Sequence, residues 1–117
     1  MIKINVPKHV NRGNELKGAI EITEDEVKSA RNIDVVLYNM LKFDGKKENH
    51  SSWEIKRIFS PNDVRKLFEL PFEFAIDSFA PITYQGKKLS SKWKLAVRID
   101  VIGGLDKEKK TEIIVLR

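Results

Sequence analysis

The stretch Lys92-Trp93-Lys94-Leu95-Ala96-Val97-Arg98-Ile99-Asp100-Val101-Ile102 decides the fold class of this chain. A large apolar residue stands at every odd position, while most even positions carry a charge. Successive side chains of a strand point to opposite faces of a sheet, whereas a helix would spread these residues around its whole surface. The stretch therefore predicts a β-strand with one buried face.

The same two-residue period recurs along the chain, separated by segments rich in Gly, Asn and Asp. It predicts further strands at 2–6, 16–23, 33–43, 53–59, 69–77 and 111–116, with a charged hairpin loop over 103–110. The long helices that connect parallel strands are missing from the pattern. We therefore predict an all-β fold, an antiparallel two-sheet sandwich of about seven strands with an immunoglobulin-like architecture. At most one short helix is expected, at 23–30, and a single helical turn could follow Pro61.

Length and composition place the chain among compact domains. Its 117 residues are 41% hydrophobic and 33% charged, which is the balance of one globular domain over 1–117. The absence of cysteine removes disulfides, thiolate nucleophiles and cysteine-ligated metals. The first residues lack a signal-peptide pattern and no apolar run is long enough to span a membrane. These features predict a cytoplasmic protein without a transmembrane segment.

Five segments, taken in chain order, resemble the arrestin-like domain family. They are 12–22 (RGNELKGAIEI), the long strand 32–43, 70–76 (LPFEFAI), 81–86 (PITYQG) and 93–100 (WKLAVRID). Thr83 replaces the serine that is usual in the family's P-x-S-Y-x-G turn, and Gly86 is expected there for its backbone freedom. The resemblance implies a single arrestin-like sandwich, similar to sporulation-control or retromer-type relatives, with a scaffolding role. The paired domains of arrestins and the Pro-Pro-x-Tyr tail motif of arrestin-domain adaptors are absent from this sequence.

Catalytic and metal-binding chemistry has few candidate residues. His50 beside Ser51 and Ser52 is the nearest approach to a nucleophile–base pair, but neighbours on a strand face opposite ways. The acidic residues 24–26 could bind a hard cation, yet they lack the spacing of a calcium loop. We therefore predict a protein that is not an enzyme and holds no cofactor and no metal. A small hydrolase with an unrecognised carboxylate site is kept as an alternative.

Two surface features are candidates for partner binding. The first is an apolar stripe on a face that should be wet, and the second is a row of basic residues. Their members are Val36, Tyr38 and Met40 for the stripe, and Lys87, Lys88, Lys92, Lys94 and Arg98 for the basic row. The stripe could be covered by a loop, by a second copy of the chain, or by another protein, because soluble monomers rarely leave such a surface bare.

We predict a non-enzymatic protein-interaction module, a scaffold or adaptor. A homodimer could form through the apolar outer face or through an edge strand. A basic module for nucleic acid or acidic membrane surfaces is a further alternative. Nucleic acid is the less favoured of these partners, because single-strand binders stack bases on exposed aromatics and Trp93 should point to the core.

Overall fold

The structure, a computed structural model, describes residues 2–22, 30–44, 46–60 and 69–117. In this part of the chain every regular element is a strand. The strands are β1 (Ile2–Asn5), β2 (His9–Asn11), β3 (Glu15–Ile22), β4 (Ala30–Phe43), β5 (Asn49–Phe59), β6 (Glu69–Ala75), β7 (Tyr84–Gln85), β8 (Leu89–Val101) and β9 (Lys107–Leu116). No helix long and apolar enough to cross a bilayer occurs among the described residues.

The strands form two sheets. The smaller sheet has the order β1-β3-β6, and the larger sheet has the order β2-β9-β8-β4-β5, with the two-residue β7 beside β8. All neighbours are antiparallel except β2 and β9, which pair in parallel from His9 opposite Ile114. The long strands β4 and β8 are neighbours in the middle of the larger sheet. Thirteen residue pairs join them, from Ala30 to Phe43 of β4.

The core lies between the two sheets, as the alternation predicts. Leu95 and Val97 of β8 stand opposite Leu37 and Val35 of β4, and all four side chains are fully buried. The smaller sheet closes this layer with the fully buried side chains of Ile20 and Leu70, together with other alternate residues of β3 and β6. The predicted all-β sandwich is therefore confirmed, with apolar area removed from water on the facing sides of both sheets.

The structure corrects three details of the prediction. The described residues form nine strands rather than about seven, since β2 and β7 are too short for any alternation to reveal them. One strand pair is parallel. Residues 107–110, predicted as part of a hairpin loop, begin β9. The candidate helix at 23–30 has only its last residue described, Ala30, which begins β4, and the helical turn after Pro61 lies outside the described residues.

The segment before β8 is tied to the larger sheet at two places. The Trp93 indole Nε1 donates a 2.8 Å hydrogen bond to the Pro81 carbonyl oxygen. Thr83 bonds Val115 of β9 twice: its N–H donates to the Val115 carbonyl, and its Oγ1 accepts from the Val115 N–H, both at 2.8 Å. A side chain at Gly86 would put its Cβ 2.7 Å from the Tyr84 ring, so this glycine is needed for a close approach rather than for an unusual φ.

Candidate functional site

The apolar stripe and part of the basic row lie side by side on the outer face of the larger sheet. In the β4–β8 register Met40 stands opposite Lys92, Tyr38 opposite Lys94, and Val36 opposite Ala96. Arg98 continues the same face opposite Asp34. Residues directly opposite in an antiparallel pair share one face of a sheet, so six of the eight predicted binding residues belong to one surface.

The centre of this surface is a shallow depression of about 270 Å³. Its floor is apolar and formed by Val36, Tyr38 and Ala96. The other lining residues are polar or charged: Asp34, His50, Lys56, Arg98, Glu108 and Lys110. We call this site the outer depression.

Tyr38 is only 6% exposed although it faces away from the core. The His50 ring of β5 stacks on it, with ring centroids 4.5 Å apart and planes 11° from parallel. Val36 and Met40 remain half-buried. The apolar stripe is therefore partly covered by neighbouring side chains of its own sheet, which leaves a recessed aromatic between two half-exposed aliphatic residues.

Charges around the outer depression form ion pairs, two of them between neighbouring strands and one within β9. Arg98 lies 3.3 Å from Glu108, Lys110 lies 3.4 Å from the other oxygen of Glu108, and Lys56 lies 3.6 Å from Asp34. The hydrogen bond to Glu108 raises the pKa of Lys110, and interaction with Tyr38 raises it further. Because acidic partners accompany these cations, the rim of the outer depression has mixed sign and is not a cationic stripe.

The two remaining basic candidates lie elsewhere. Lys87 and Lys88 precede β8 in the turn from β7, beyond the last pair of the β4–β8 ladder, Phe43 and Leu89. They line a different depression of about 180 Å³ together with Lys42 and Asp44. The structure thus divides the predicted basic row between the outer face and one end of the larger sheet.

The residues considered for catalysis have structural contacts. The His50 ring packs on Tyr38, and Ser51 Oγ accepts a hydrogen bond of 3.2 Å from the Trp53 backbone N–H. Among the described residues no three metal-binding side chains come together. The acidic residues 24–26 lie outside the described residues.

A second cleft, which the sequence did not indicate, opens at the side of the sandwich where β5 and β6 are the last described strands of their sheets. It has a volume of about 280 Å³ and is lined by Trp53, Ile55, Ile76, Ala80 and Trp93, among others. Trp93 was predicted to point to the core. Trp93 is buried there, while Trp53 is only partly buried and packs against the core from its edge.

Comparisons with known proteins bear on the fold. No family model and no curated protein sequence matches the chain. Its structure is similar to that of Spo0M, a sporulation control protein from Bacillus subtilis, with a TM-score of 0.60 and 18% sequence identity. The match covers 99% of this chain and 49% of that protein, so this chain spans about half the length of Spo0M. The fold is arrestin-like. At this identity the similarity shows the fold alone, and it supports the arrestin-like resemblance as a distant relationship of fold.

Proposed function

We propose that this arrestin-like domain is a non-enzymatic protein-binding module, a scaffold or adaptor, and that it binds its partner through the outer depression. The proposal covers the whole chain as one domain acting in the cytoplasm. The observation that carries it is the apolar floor of Val36, Tyr38 and Ala96 inside a rim of paired charges.

This arrangement has the character of a protein interface. Binding energy in interfaces concentrates in a few central aromatic and aliphatic residues, while a polar rim excludes water from them. Tyr38 occupies the centre, held in one orientation by His50, so little side-chain freedom would be lost on binding. The rim pairs Arg98–Glu108 and Lys56–Asp34 would set the register of a partner with complementary charges.

The partner would be another protein or a second copy of this chain. The outer face belongs to a regular sheet without a deep pocket, which suits a broad apolar contact better than a small ligand. The similarity to a sporulation control protein supports a regulatory rather than a catalytic role. A stable contact would need to bury more than about 1,000 Å² in total.

The experiment replaces the two half-buried aliphatic residues with aspartate. The V36D/M40D variant should abolish partner capture, or convert an oligomer to monomers in light scattering, because it puts two charges on the apolar surface. Its circular dichroism and melting should remain those of a folded protein. The control is I102D, which makes the same chemical change at an exposed residue of the β8–β9 turn.

Three results would contradict the proposal. Unfolding of a protein that is always monomeric would make Val36 and Met40 part of the structural core. If V36D/M40D and I102D captured the partner equally well, the interface would lie on another surface. Hydrolysis or phosphate release by the purified protein, if replacing a carboxylate side chain abolished it, would favour the hydrolase alternative.

A further inference from the structure

At one end of the larger sheet, large apolar side chains of the inner face are exposed. Phe43 and Leu89 form the last pair of the β4–β8 ladder, and Tyr84 stands opposite Ser91 beside them. Ser91 hydrogen-bonds Asn39, which is fully buried, so these residues share the inner face. Nevertheless Phe43 and Tyr84 are each 52% exposed and Leu89 is 40% exposed.

Lysines surround these three apolar side chains. Residues 42–48 and 84–89 contain five lysines, and their only acidic residues are Asp44 and Glu48, so this end has a net charge of +3 out of +5 for the chain. The lysines are Lys42, Lys46, Lys47, Lys87 and Lys88, and all five are exposed. We call these lysines with Phe43, Tyr84 and Leu89 the basic end.

The two turns of the basic end hold each other in place. The Asp44 N–H donates a 2.5 Å hydrogen bond to the Lys88 carbonyl, and the Lys46 N–H donates one of 2.8 Å to the Phe43 carbonyl. Between the turns lies the depression of about 180 Å³, lined by Lys42, Lys87 and Lys88, with Asp44 as its one acidic residue. A group of anionic character could therefore contact several ammonium groups at once.

We propose that the basic end binds the surface of an anionic lipid bilayer. Phe43, Tyr84 and Leu89 would enter the boundary between headgroups and acyl chains, and the lysines would contact the lipid phosphates and carboxylates. Three features favour lipid over an acidic protein: the apolar side chains at this end of the sheet are exposed, they lie beside the charges, and all the cations here are lysines. Lysine is depleted in protein interfaces, whereas long lysine side chains reach headgroups readily.

The first test measures co-sedimentation with vesicles of phosphatidylcholine alone and with about one-third phosphatidylserine. The protein should bind only the anionic vesicles, and less at high salt. K87Q/K88Q should lower the partition coefficient about tenfold or more, since each lysine near a charged surface contributes substantially. K3Q/K17Q removes the same charge from the smaller sheet and should bind as the wild type does.

The second test uses the absence of cysteine from the sequence. An environment-sensitive fluorophore attached to F43C should shift to the blue when anionic vesicles are added. The same fluorophore on L105C, in the β8–β9 turn at the opposite end of β8, should not shift, although Leu105 is 91% exposed. V36D/M40D should bind vesicles normally, which separates this proposal from the protein-binding one.

Failure to sediment with anionic vesicles, by protein that circular dichroism shows to be folded, would overturn the proposal. So would an equal loss of binding in K87Q/K88Q and K3Q/K17Q, because the attraction would then follow net charge alone. If the lysines of the basic end bound a polyglutamate peptide but no vesicle, the partner would be an acidic protein and the lipid proposal would be wrong.

Discussion

Asn39 shows how one polar residue is accommodated in the core of the larger sheet. Its side chain is fully buried, and Nδ2 donates to Ser91 Oγ at 2.9 Å and to the Lys92 carbonyl at 3.2 Å. Its Oδ1 has no hydrogen-bond partner among the described residues. Buried polar groups are tolerated when their donors are satisfied, and the amide satisfies its donors through two residues of β8.

We expect N39D to lower the free energy of unfolding by roughly 3 kcal/mol or more, because a carboxylate cannot donate and would face the Lys92 carbonyl without water. Urea denaturation followed by circular dichroism measures this change. N14D, in the exposed turn before β3, makes the same substitution and should leave the denaturation midpoint nearly unchanged. A midpoint for N39D equal to that of N14D would mean that the amide hydrogen bonds contribute little.

At the residue scale, the sequence predicts which face of a sheet a side chain occupies better than it predicts which residues that side chain contacts. Alternation places Ile33, Val35 and Leu37 toward the core, and the structure confirms it. The role of Asn39 was not predicted, because its partner Ser91 is 52 residues away in the chain. The stack of His50 on Tyr38 likewise depends on the β4–β5 register, which shifts between Tyr38 and Met40. Local patterns cannot reveal such cross-strand neighbours.

At the scale of elements, the segment 81–86 forms hydrogen bonds with both β9 and β8. Thr83 bonds Val115 through both its backbone and its hydroxyl, and Trp93 reaches back to Pro81. These contacts give a physical reason for the P-x-T-Y-x-G pattern that does not depend on any partner. The threonine hydroxyl does what a serine hydroxyl could do at the same place.

T83V should therefore lower the free energy of unfolding by about 1–3 kcal/mol, since it leaves the Val115 N–H without its acceptor in a buried strand. T83S keeps the oxygen and should retain most of the stability. Thermal and urea denaturation of both variants measure the difference. If T83S were as unstable as T83V, the methyl group rather than the hydroxyl would be the stabilising part of Thr83.

Strand positions follow from the sequence wherever one face is apolar and the other is polar. The start of β9 was predicted as a loop because Lys107 to Lys110 carry charge on both faces. In the structure Lys109 stands opposite Val97, and its Nζ donates to the Ile2 carbonyl at the edge of the sandwich. A long lysine side chain can keep its stem beside the core and its ammonium near solvent, so such a strand has no alternating signature.

At the scale of the molecule, the difference in size between the two sheets creates the surfaces proposed for function. Among the described strands, β4 has fourteen residues and β8 thirteen, whereas the smaller sheet has four in β1, eight in β3 and seven in β6, so its strands alone do not match the full length of β4 and β8. The excess length becomes the basic end, while the outer face of the same two strands holds the outer depression. The sequence indicated six residues of the outer face but only Lys87 and Lys88 of the basic end, and it placed these two in one basic row with Lys92, Lys94 and Arg98, because the separation depends on sheet size and register.

The same asymmetry makes the smaller sheet essential for stability. The larger sheet buries Val97 and Leu95 only because the smaller sheet lies against it, so neither sheet should remain folded alone.

L70A, which truncates a fully buried side chain of β6, should lower the free energy of unfolding by about 2–5 kcal/mol. Trp93 lies in the core between the sheets and Trp53 packs against that core, so their fluorescence reports the contact between the sheets, while far-UV circular dichroism reports all strands. We expect the two signals to change together in urea for the wild type and for L70A, as in a two-state transition. If the two signals changed at different urea concentrations, the sheets would separate before all strands unfold, and the sandwich would then not be one cooperative unit.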